Sequence, residues 1–516
     1  MGEASEGRPS PRRGFPSLPS PNLGEEGSPT QAQMHYNQPN CTGTVIMTLA
    51  TSTLTEKIGA DILARIETRV LAPGARLPSI RSASSEFGVS KSTIVEAYDR
   101  LVASGHIQAR RGSGFTVTGR RAAPSLQELA PKLDRAIDPV WVARQSLETE
   151  ERALRPGCGW LPESWLPEAD LRRALRSVAQ APHAKLLEYG HPLGYLPLRQ
   201  ALQARLAELE IDAPPTRILL TDGGTQAIDL TLRHLVQPGD AVLVDDPGYF
   251  NFHANLRAHR AVSLPVPRRP DGPDLDRLAA LAREHKPRLY LMNAAPHNPT
   301  GGALSPAIAH RLLQLAEAHD LRVVEDDVFA YFRRHPTPIL AALDGLKRVI
   351  HLGSFSKTLS AGVRCGFIAA DEATIDALLD LKIATCFGSD LVAAQMVHRL
   401  IADGTQRKHA ERIRRRLGAA MGQVGGKLEA LGFTYWQEPR EGLFLWMRLP
   451  PESTTGGRDA AELARRALRH NIVLAPGNVF SPAQSWPDTL RFNAPQSQHQ
   501  RLFDFLKAEL KSRRAP

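Results

Sequence analysis

The sequence predicts an α/β protein with two folded units: a small helical unit that ends in a β-hairpin, and a larger unit built on a mainly parallel sheet. Three observations predict this organisation. The chain has 516 residues, which is more than one ordinary domain contains. From Pro156 onward, short apolar runs alternate with amphipathic segments of helix length, as a parallel sheet requires. Between Leu54 and Val117, three helical segments precede two short strands.

The composition limits the class of protein. A hydrophobic fraction of 42% supports a large core, and a formal net charge of +10 allows an anionic partner. No apolar run reaches the roughly 18 residues that a membrane span needs, and the N-terminus lacks the apolar segment of a signal peptide. The cysteines have neither metal-ligand spacing nor a paired pattern, which predicts reduced thiols in a cytoplasmic protein without a metal site. They are Cys41, Cys158, Cys365 and Cys386.

The chain divides into four segments along its length. Residues 1–50 are rich in Pro, Gly, Ser and Glu and lack apolar periodicity, which predicts a disordered extension. Residues 51–119 form the small unit and residues 155–516 form the large unit. Between them, residues 120–154 are predicted to be a polar, partly helical linker that could pack on either neighbour.

The small unit has the pattern of a winged helix-turn-helix. A short helix from Ser79 to Glu86 is followed by a bend at Gly88, and Ser90 is the predicted N-cap of a helix from Lys91 to Ser104. Two strands joined at residues 112–114 would form the wing. The apolar residues predicted to face inward are Leu54, Ile58, Ile62, Leu63 and Ile66 on the first helix, and Ile94, Ala97, Tyr98 and Leu101 on the third.

The charge and the motifs of this unit favour DNA as its partner. Residues 54–121 contain 11 Lys and Arg against 6 Asp and Glu, so half of the net charge lies in about an eighth of the chain. The strings Leu-Pro-Ser-Ile-Arg81, Gly-Val-Ser-Lys-Ser-Thr93 and Arg-Arg-Gly-Ser-Gly114 resemble a GntR-type DNA-binding domain. The alternative is a winged helix that binds protein. The resemblance implies that these residues contact double-stranded DNA: Arg81, Lys91, Ser92, Thr93, Arg110 and Arg111.

Polar residues interrupt the large unit where its predicted strands end, and ligands bind at this edge of such sheets. Small residues in Thr221-Asp-Gly-Gly-Thr-Gln226 would let backbone N–H groups approach a phosphate. Tyr249, after a turn, could stack on a flat ring, and the asparagine of His297-Asn-Pro-Thr-Gly301 could donate to a phenolate oxygen. A buried carboxylate in Glu325-Asp-Asp327 could pair with a pyridinium nitrogen. Each motif alone is also typical of a structural turn.

The stretch from His351 to Phe367 joins these motifs into one site. A predicted buried strand ends at Gly353, and a lone lysine, Lys357, follows a small polar turn. Burial at the edge of a sheet lowers the pKa of a lysine and frees its amine to attack a carbonyl. Ser354, Ser356 and Arg364 surround it with two hydroxyls and a fixed cation, which suit a phosphate. Together they predict a pocket for pyridoxal phosphate (PLP).

The Ser-x-Ser-Lys357 motif with Arg364 seven residues later resembles the PLP-lysine motif of fold type I aminotransferases. The resemblance extends from Pro156 to the C-terminus and implies a smaller α+β subdomain from about residue 395, together with the N-terminal arm. It implies that Lys357 carries the internal aldimine, that Tyr189 reaches the cofactor of a partner subunit, and that Arg491 binds a substrate α-carboxylate. The other implied cofactor contacts are Gly224, Thr225 and Gln226 at the phosphate with Ser354, Ser356 and Arg364, Tyr249 on the ring face, Asn298 at the ring hydroxyl and Asp326 at the ring nitrogen.

One position departs from the aminotransferase pattern. The family usually has a tyrosine two or three residues after the aspartate that binds the ring nitrogen, and its hydroxyl bonds the ring oxygen. Those positions here are Val328 and Phe329, neither of which can donate a hydrogen bond from its side chain. This puts efficient transamination in doubt more than PLP binding.

A winged helix followed by an aminotransferase-like domain resembles the MocR-like branch of the GntR regulators. The leading hypothesis is a PLP-dependent transcriptional regulator that senses an amino acid or amine by external aldimine formation. The resemblance implies a homodimer, whose two heads would read half-sites spaced by whole turns of about 34 Å. The alternatives are a working aminotransferase that carries a DNA-binding head, and a DNA-binding protein whose second domain is only a dimerisation scaffold.

Overall fold

The chain folds into two compact units, residues 1–123 and 124–516, in the computed structural model. The structure describes residues 53–67, 70–72, 74–110, 114–118, 140–149, 152–181, 187–439, 441–451 and 459–512. The predicted N-terminal extension and most of the predicted linker lie outside the described residues. No helix in the described ranges is long and apolar enough to cross a membrane.

The described residues of the first unit form three helices and one antiparallel hairpin, as predicted. Its elements are α1 (Leu54–Glu67), α2 (Ile80–Phe87), α3 (Lys91–Ala103), β1 (Ile107–Arg110) and β2 (Gly114–Val117). The four α3 residues that were predicted to face inward are all buried, because they recur at helical spacing against α1 and α2. The prediction for Leu54 was wrong: its side chain is 55% exposed, because α1 begins at this residue and its first turn extends beyond the core.

Side-chain caps fix the turn between α2 and α3. Ser79 Oγ accepts a hydrogen bond from Ser82 N at 3.2 Å, and Ser90 Oγ accepts one from Thr93 N at 3.2 Å. Gly88 adopts the left-handed conformation with φ of 64°, which costs little conformational energy in a residue without Cβ. The predicted bend and the predicted N-cap of α3 are therefore confirmed.

The described part of the second unit is built on an eight-stranded sheet, which is mainly parallel, as the alternation of apolar runs and helical segments predicted. The strands are β3 (Ile218–Thr221), β4 (Ala241–Asp246), β5 (Val262–Arg269), β6 (Gly272–Pro273), β7 (Leu289–Asn293), β8 (Arg322–Asp326), β9 (Val349–Ser354) and β10 (Gly366–Ala369). Their order in the sheet is β3-β10-β9-β8-β7-β4-β5-β6. The pairs from β9 through β5 are parallel, whereas β10 is antiparallel to both β9 and β3. Consequently β3, β4, β7, β8 and β9 all end at the same edge.

Helices cover both faces of this sheet, so consecutive strand residues enter different cores. Leu220 and Val323 belong to one apolar cluster, whereas their neighbours Leu219 and Val324 belong to another. The helices of this unit are α4 (Trp141–Glu148), α5 (Glu168–Ala179), α6 (Leu196–Ala207), α7 (Gly224–Leu235), α8 (Phe250–Ala258), α9 (Leu275–His285), α10 (Pro306–Ala318), α11 (Leu340–Asp344), α12 (Glu372–Cys386), α13 (Leu391–Ala402), α14 (Thr405–Glu429), α15 (Ala460–Arg469) and α16 (Gln500–Ser512). The continuous apolar runs of the strands follow from burial on both sides.

A second, antiparallel sheet forms in the C-terminal part, as the smaller α+β subdomain requires. Its strands are β11 (Thr434–Tyr435), β12 (Phe444–Arg448), β13 (Ala475–Pro476) and β14 (Thr489–Asn493), in the order β11-β12-β14-β13. Trp446 and Phe492 lie at the centre of its core. Trp141 and Val142 of α4 are buried in the same core, so the end of the predicted linker packs on the second unit.

The N-cap of α3 provides a test of the first unit. We expect Ser90→Ala to destabilise the start of α3 by about 1 kcal/mol, because the Thr93 N–H loses its acceptor. Hydrogen–deuterium exchange of the full-length protein should then be roughly fivefold faster in peptides from α3. Ser85→Ala, an exposed site within α2, is the matched control and should leave this exchange unchanged. Equal protection in both variants would contradict the capping role.

Candidate functional site

A cavity of about 300 Å³ opens at the sheet edge where the parallel strands end. Nine of the residues predicted from the sequence line it: Gly224, Thr225, Tyr249, Asn298, Asp326, Ser354, Ser356, Lys357 and Arg364. They end or follow β3, β4, β7, β8 and β9, or precede β10, so the strand directions bring them together. Among the described residues, no group of three or more His, Cys, Asp or Glu could hold a metal ion.

Lys357 lies three residues beyond β9, with its amine directed into the cavity. Burial lowers the pKa of its ammonium group to about 8, and the Arg491 and Arg364 cations act in the same direction. Its Nζ lies 6.0 Å from the ring centroid of Phe329, and a Cβ built on Gly159 would lie 3.7 Å from it. A substantial share of this amine is therefore neutral near physiological pH and able to act as a nucleophile.

Hydroxyls, an arginine and a helix N-terminus meet at one end of the cavity. Ser354 Oγ donates to Ser356 Oγ at 3.1 Å, and Arg364 Nη1 donates to Ser356 Oγ at 3.4 Å. The start of α7 lies beside them, and Arg364 Nη2 donates to the Asp222 carbonyl at 2.8 Å. Gly223 has φ of 92°, and a Cβ there would lie 2.6 Å from Arg364 Nη2. This close approach of backbone to guanidinium makes a cradle that fits a phosphate.

Asp326 supplies a carboxylate at the end of β8. Burial raises the pKa of this carboxyl to about 7, although the Val328 N–H donates to its Oδ1 at 3.3 Å. A carboxylate that is destabilised in this way is stabilised by a cation at close range. It therefore fits the protonated nitrogen of a pyridine ring.

Asn293, at the end of β7, links two of the predicted site residues. Its Nδ2 donates to the Asp326 carbonyl at 2.8 Å, and its Oδ1 accepts from the Asn298 N–H at 2.8 Å. Both bonds are buried, so they fix the loop after β7 relative to the end of β8. Asn293 was not predicted from the sequence, although a polar residue at the end of an otherwise apolar strand was an available signal.

Arg491, on β14, is a fully buried cation. Its Nη1 donates to Asn298 Oδ1 at 2.7 Å and its Nη2 to the Gly157 carbonyl at 2.6 Å, while its Nε has no hydrogen-bond partner in the described part of the chain. None of the ion pairs found among the described residues includes it. Burial lowers the pKa of this guanidinium to about 10, which still leaves it charged at neutral pH. A buried cation without an anion fits the carboxylate of a ligand.

Two aromatic residues of the cavity differ in their side chains: Tyr249 carries a hydroxyl, and Phe329 does not. Burial raises the pKa of the Tyr249 phenol to about 12, so it stays protonated, and its ring packs on Phe250 and Phe252. Phe329 also lines the cavity and packs edge-on against Phe444, with 5.6 Å between centroids. The family tyrosine that Phe329 replaces would have supplied a hydroxyl here, and the departure predicted from the sequence therefore falls at the cavity wall.

Three predicted residues are not among those that line the cavity of the single chain. Arg491 is separated from it by Asn298, to which it is hydrogen-bonded and which does line the cavity. The Gln226 side chain accepts from the Asp222 N–H at 2.6 Å and donates towards Cys386 Sγ at 3.4 Å. It is therefore directed to the loop behind the cradle, and its predicted phosphate contact is limited to the backbone at the start of α7. Tyr189 is 81% exposed and stacks on Phe387 with 5.5 Å between centroids.

The predicted DNA-binding residues lie on α2 and at the start of α3. Arg81, Lys91 and Ser92 are exposed, whereas Thr93 is half-buried. The Ser92 and Thr93 hydroxyls lie 2.7 and 2.8 Å from Ser90 Oγ, so both belong to the cap of α3. The Arg110 side chain and Arg111 lie outside the described residues.

Two further features of the second unit were not predicted from the sequence. Lys382 on α12 is fully buried, and its Nζ donates to the Pro192 carbonyl at 2.6 Å and to the Leu220 carbonyl at 2.8 Å. It ties the segment before α6 to the end of β3, and burial lowers the pKa of its ammonium group to about 8. Helix α4 also lines the cavity, although it falls within the predicted linker. The apolar periodicity of this segment is too weak to have predicted that it lines the cavity.

The chain is similar to known proteins over both units. Residues 164–508 match the family described as aminotransferase class I and II, and residues 54–117 match the bacterial regulatory proteins of the gntR family. The HTH-type transcriptional regulator YdcR of Escherichia coli is 28% identical over 85% of this chain and 94% of its own. The probable rhizopine catabolism regulatory protein MocR of Rhizobium meliloti is 30% identical over 70% of this chain and 73% of its own.

Enzymes are also similar to the second unit. The 2-aminoadipate transaminase of Thermus thermophilus is 32% identical over 66% of this chain and 86% of its own. The crystal structure of LysN, an α-aminoadipate aminotransferase from the same organism complexed with N-(5'-phosphopyridoxyl)-L-leucine, aligns with a TM-score of 0.65 at 27% identity. The alignment covers 74% of this chain and 96% of that one.

The lowered pKa of Lys357 predicts how capture of PLP depends on pH. With a pKa of about 8, the neutral share of the amine rises from about one-tenth at pH 7 to about nine-tenths at pH 9, so capture should accelerate about tenfold. The measurement is the amount of PLP fixed on Lys357 by borohydride after short incubation of the apoprotein, quantified by mass spectrometry. The Asp326 carboxyl, whose pKa burial raises to about 7, also ionises in the lower part of this range, and an Asp326→Asn variant separates the two effects. A flat rate from pH 7 to 9 would contradict the assignment.

The buried carboxylate of Asp326 predicts an effect on how tightly the protein retains PLP. Asp326→Asn should weaken PLP retention on the order of tenfold to a hundredfold, because an amide cannot neutralise a ring cation. Equilibrium dialysis of the full-length protein against PLP measures this directly. Asp376→Asn, on the exposed surface of α12, is the control. Unchanged retention in Asp326→Asn would remove the residue from the cofactor site.

Proposed function

The chain belongs to the class I and II aminotransferase family and carries a GntR-family domain in front of it, the architecture of the MocR-like regulators, and from this we propose that it is a PLP-dependent transcriptional regulator. The observation that carries the proposal is the presence of both parts in one chain: a helix-turn-helix unit with an exposed basic helix start, and a cavity with a nucleophilic lysine. Because the chain also carries a DNA-binding unit, ligand binding in the cavity would regulate DNA binding without catalytic turnover.

PLP is the cofactor that membership of this family implies, and the residues of the cavity fit it. Ser354, Ser356, Arg364 and the start of α7, with Gly224, Thr225 and the backbone of Gln226, would hold its phosphate. Asp326 would hold the ring nitrogen, Asn298 the ring hydroxyl and Tyr249 the ring face. When bound, PLP supplies an aldehyde that condenses reversibly with primary amines. Lys357 offers one such amine and competes with the amine of an effector.

An amino acid or an amine is the effector that these groups favour. The Arg491 guanidinium is buried and pairs with no carboxylate in the described ranges, so an α-carboxylate would gain a charge-assisted pair there. The nearby Lys357 amine is partly neutral, so it can give up its place to an incoming amine at little cost. The effector would favour one of two states of the second unit, and these states would differ in affinity for DNA.

DNA would bind the first unit through Arg81, Lys91, Ser92, Thr93, Arg110 and Arg111. The exposed side chains at the start of α3 would enter the major groove, and the basic hairpin would touch the backbone beside it. We also propose a homodimer, because the resemblance to aminotransferases implies that Tyr189 reaches the cofactor of a partner subunit, and its side chain is exposed. A cytoplasmic location follows from the DNA partner.

Slow transamination is the second candidate function, and the lysine–carboxylate pair of Lys357 and Asp326 favours it. Phe329 opposes it, because no hydroxyl takes the place of the family tyrosine. A fused DNA-binding unit is also unnecessary for an enzyme. The regulator is therefore the better supported function.

The test is DNA binding by the PLP-loaded full-length protein, with duplexes that it selects from a random-sequence library. Amino acids added one at a time should change both the absorbance of the bound cofactor and the fluorescence anisotropy of the labelled duplex. Arg81→Ala should weaken DNA binding about tenfold and leave the absorbance response intact. Arg176→Ala, an exposed arginine on α5 of the second unit, is the matched control.

Two results would contradict the proposal. One is multiple-turnover conversion of amino acids with no effect on DNA affinity, which would identify an enzyme. The other is an unaltered DNA response in Lys357→Ala, which would identify a dimerisation scaffold.

A further inference from the structure

Helix α14 carries a concentrated positive charge on the second unit. Residues 407–416 contain six Lys and Arg against one Glu, which gives a net charge of +5 in ten residues. Residues 54–121 carry another +5, so these two segments account for the whole formal net charge of +10. The remainder of the chain is neutral as a whole. The basic residues of α14 in this stretch are Arg407, Lys408, Arg412, Arg414, Arg415 and Arg416.

Four of these cations form an exposed face of the helix. The opposite side of α14 is buried, with Ile413 and Leu417 in the core of the second unit. Among the described residues of α14, no large apolar side chain is exposed. At 1.5 Å per residue, the exposed cations extend over about 12 Å of helix. We call this surface the basic face of α14, and its residues are Arg407, Lys408, Arg412 and Arg415.

The basic face has no anionic partner in the part of the chain that the structure describes. None of its four residues forms an ion pair there, although Glu411 is exposed on the same side of the helix. Basic residues on other helices do pair with an acid one turn away. Arg172 Nη2 lies 2.7 Å from Glu168 Oε1 on α5, and Arg233 Nε lies 2.8 Å from Asp229 Oδ2 on α7. The charge of α14 is therefore left uncompensated where the charge of comparable helices is not.

The positions of these cations are unfavourable for the helix itself. α14 begins at Thr405, so Arg407 and Lys408 lie in its first turn, which contains no acidic residue. The N-terminal end of a helix carries a partial positive charge, which favours anions and disfavours cations. Lys408 and Arg412 are also four residues apart, a spacing at which like charges repel. This arrangement does not stabilise α14, whereas an external anion would remove both penalties.

Arg412 is held in a fixed orientation. Its Nη2 lies 2.8 Å from His409 Nδ1, and His409 Nε2 lies 2.9 Å from the Thr358 carbonyl. Burial lowers the pKa of His409, and the charge of Arg412 lowers it further, so the ring is neutral at pH 7. With Nε2 donating to the carbonyl, Nδ1 accepts from the guanidinium. A cation held in this way loses less freedom when it binds an anion.

Double-stranded DNA is the anion that fits this surface best. A duplex carries one negative charge per about 1.7 Å of its axis, so a face of about 12 Å would meet about seven phosphates. The GntR-family unit of the same chain also brings DNA to the protein. A protein partner or a membrane would bury apolar side chains, and the described part of α14 exposes no large ones.

We propose that the basic face of α14 is a second DNA-binding surface, which binds phosphates of a duplex and does not read its bases. It would add to the affinity of the winged helix-turn-helix and leave sequence selectivity to that unit. The inference goes beyond the proposed sensing of an effector, because no residue of α14 is among those that line the cavity.

The experiment measures binding of the full-length, PLP-loaded protein to labelled duplexes by fluorescence anisotropy over a range of salt concentrations. One duplex is selected by the protein, and the other has a random sequence of the same length. Loss of three phosphate contacts should make the slope of log K against log salt shallower by about 3. Affinity for both duplexes should fall by the same factor, at least about tenfold. The variant combines Lys408→Gln, Arg412→Gln and Arg415→Gln.

A matched control removes the same charge from three other exposed sites of the second unit. It combines Arg277→Gln and Arg283→Gln on α9 with Lys507→Gln on α16. The salt slope and both affinities should stay within about twofold of those of the unmodified protein. An equal loss in this control would show a general effect of net charge and overturn the surface.

Two further measurements keep the inference testable if the triple variant is unstable. Glu411→Gln removes the single acid from the exposed side of the helix and should raise the affinity for both duplexes about twofold to threefold. In the unmodified protein, bound DNA should protect Lys408 from acetylation, measured by mass spectrometry, and leave Lys507 reactive. No gain of affinity and no protection would each overturn the inference.

The results separate this inference from the proposed function. An unchanged salt slope in the triple variant would overturn the surface and leave the regulator intact. Loss of affinity for the selected duplex alone would overturn the claim that α14 does not read bases. Binding to anionic phospholipid vesicles that the triple variant loses, with constant DNA affinity, would identify a membrane contact instead. The absorbance of bound PLP should respond to amino acids equally in all variants, and absence of that response in the unmodified protein would contradict only the proposed sensing.

Discussion

The common direction of five strands is the constraint on which the site depends. β3, β4, β7, β8 and β9 end at one edge, and each delivers its functional group within a few residues of that end. Neighbouring strands lie about 4.8 Å apart, so the sheet itself sets the spacing between Asn298, Asp326 and Lys357. The loops supply the residue types, whereas the buried strands supply the distances. This is why a site of so many parts can be assembled from segments far apart in the sequence.

The charged groups of the site are each held in a form that a ligand would stabilise. Burial disfavours the ion at Lys357, at Asp326 and at Arg491, and the pKa of each moves accordingly. The protein compensates only in part, through hydrogen bonds such as the one that the Val328 N–H donates to the Asp326 carboxylate. The remaining stabilisation is left to the ring nitrogen, the phosphate and the carboxylate that these groups fit. The site is therefore organised in advance for charges that arrive from outside, which is the usual condition for selective binding of a polar ligand in a dry pocket.

The sequence could predict the parts of this structure that local patterns encode. Apolar strand runs, the Ser90 cap and the polar motifs at strand ends depend on neighbouring residues, and the structure reproduces them. The features that were wrongly predicted or not predicted depend on contacts between residues far apart in the sequence. Gln226 follows the expected helix start, but its side chain is captured by Asp222, which no local pattern specifies. Lys382 is buried because two distant carbonyls converge on it, and α4 was hidden in a segment of weak periodicity because its apolar face matches a core formed largely some 300 residues later.

The hydrogen bond between Arg491 and Asn298 has a consequence for how ligands are distinguished. The amide oxygen of Asn298 faces the arginine, so its nitrogen is the atom left to face the cavity. A carboxylate that binds Arg491 competes for the same guanidinium hydrogens and weakens the hydrogen bond that Asn298 Oδ1 accepts. Asn298 thus couples the carboxylate site at Arg491 to the ring of bound PLP. A carboxylic acid without an amine should therefore shift the absorbance of PLP before any covalent exchange takes place.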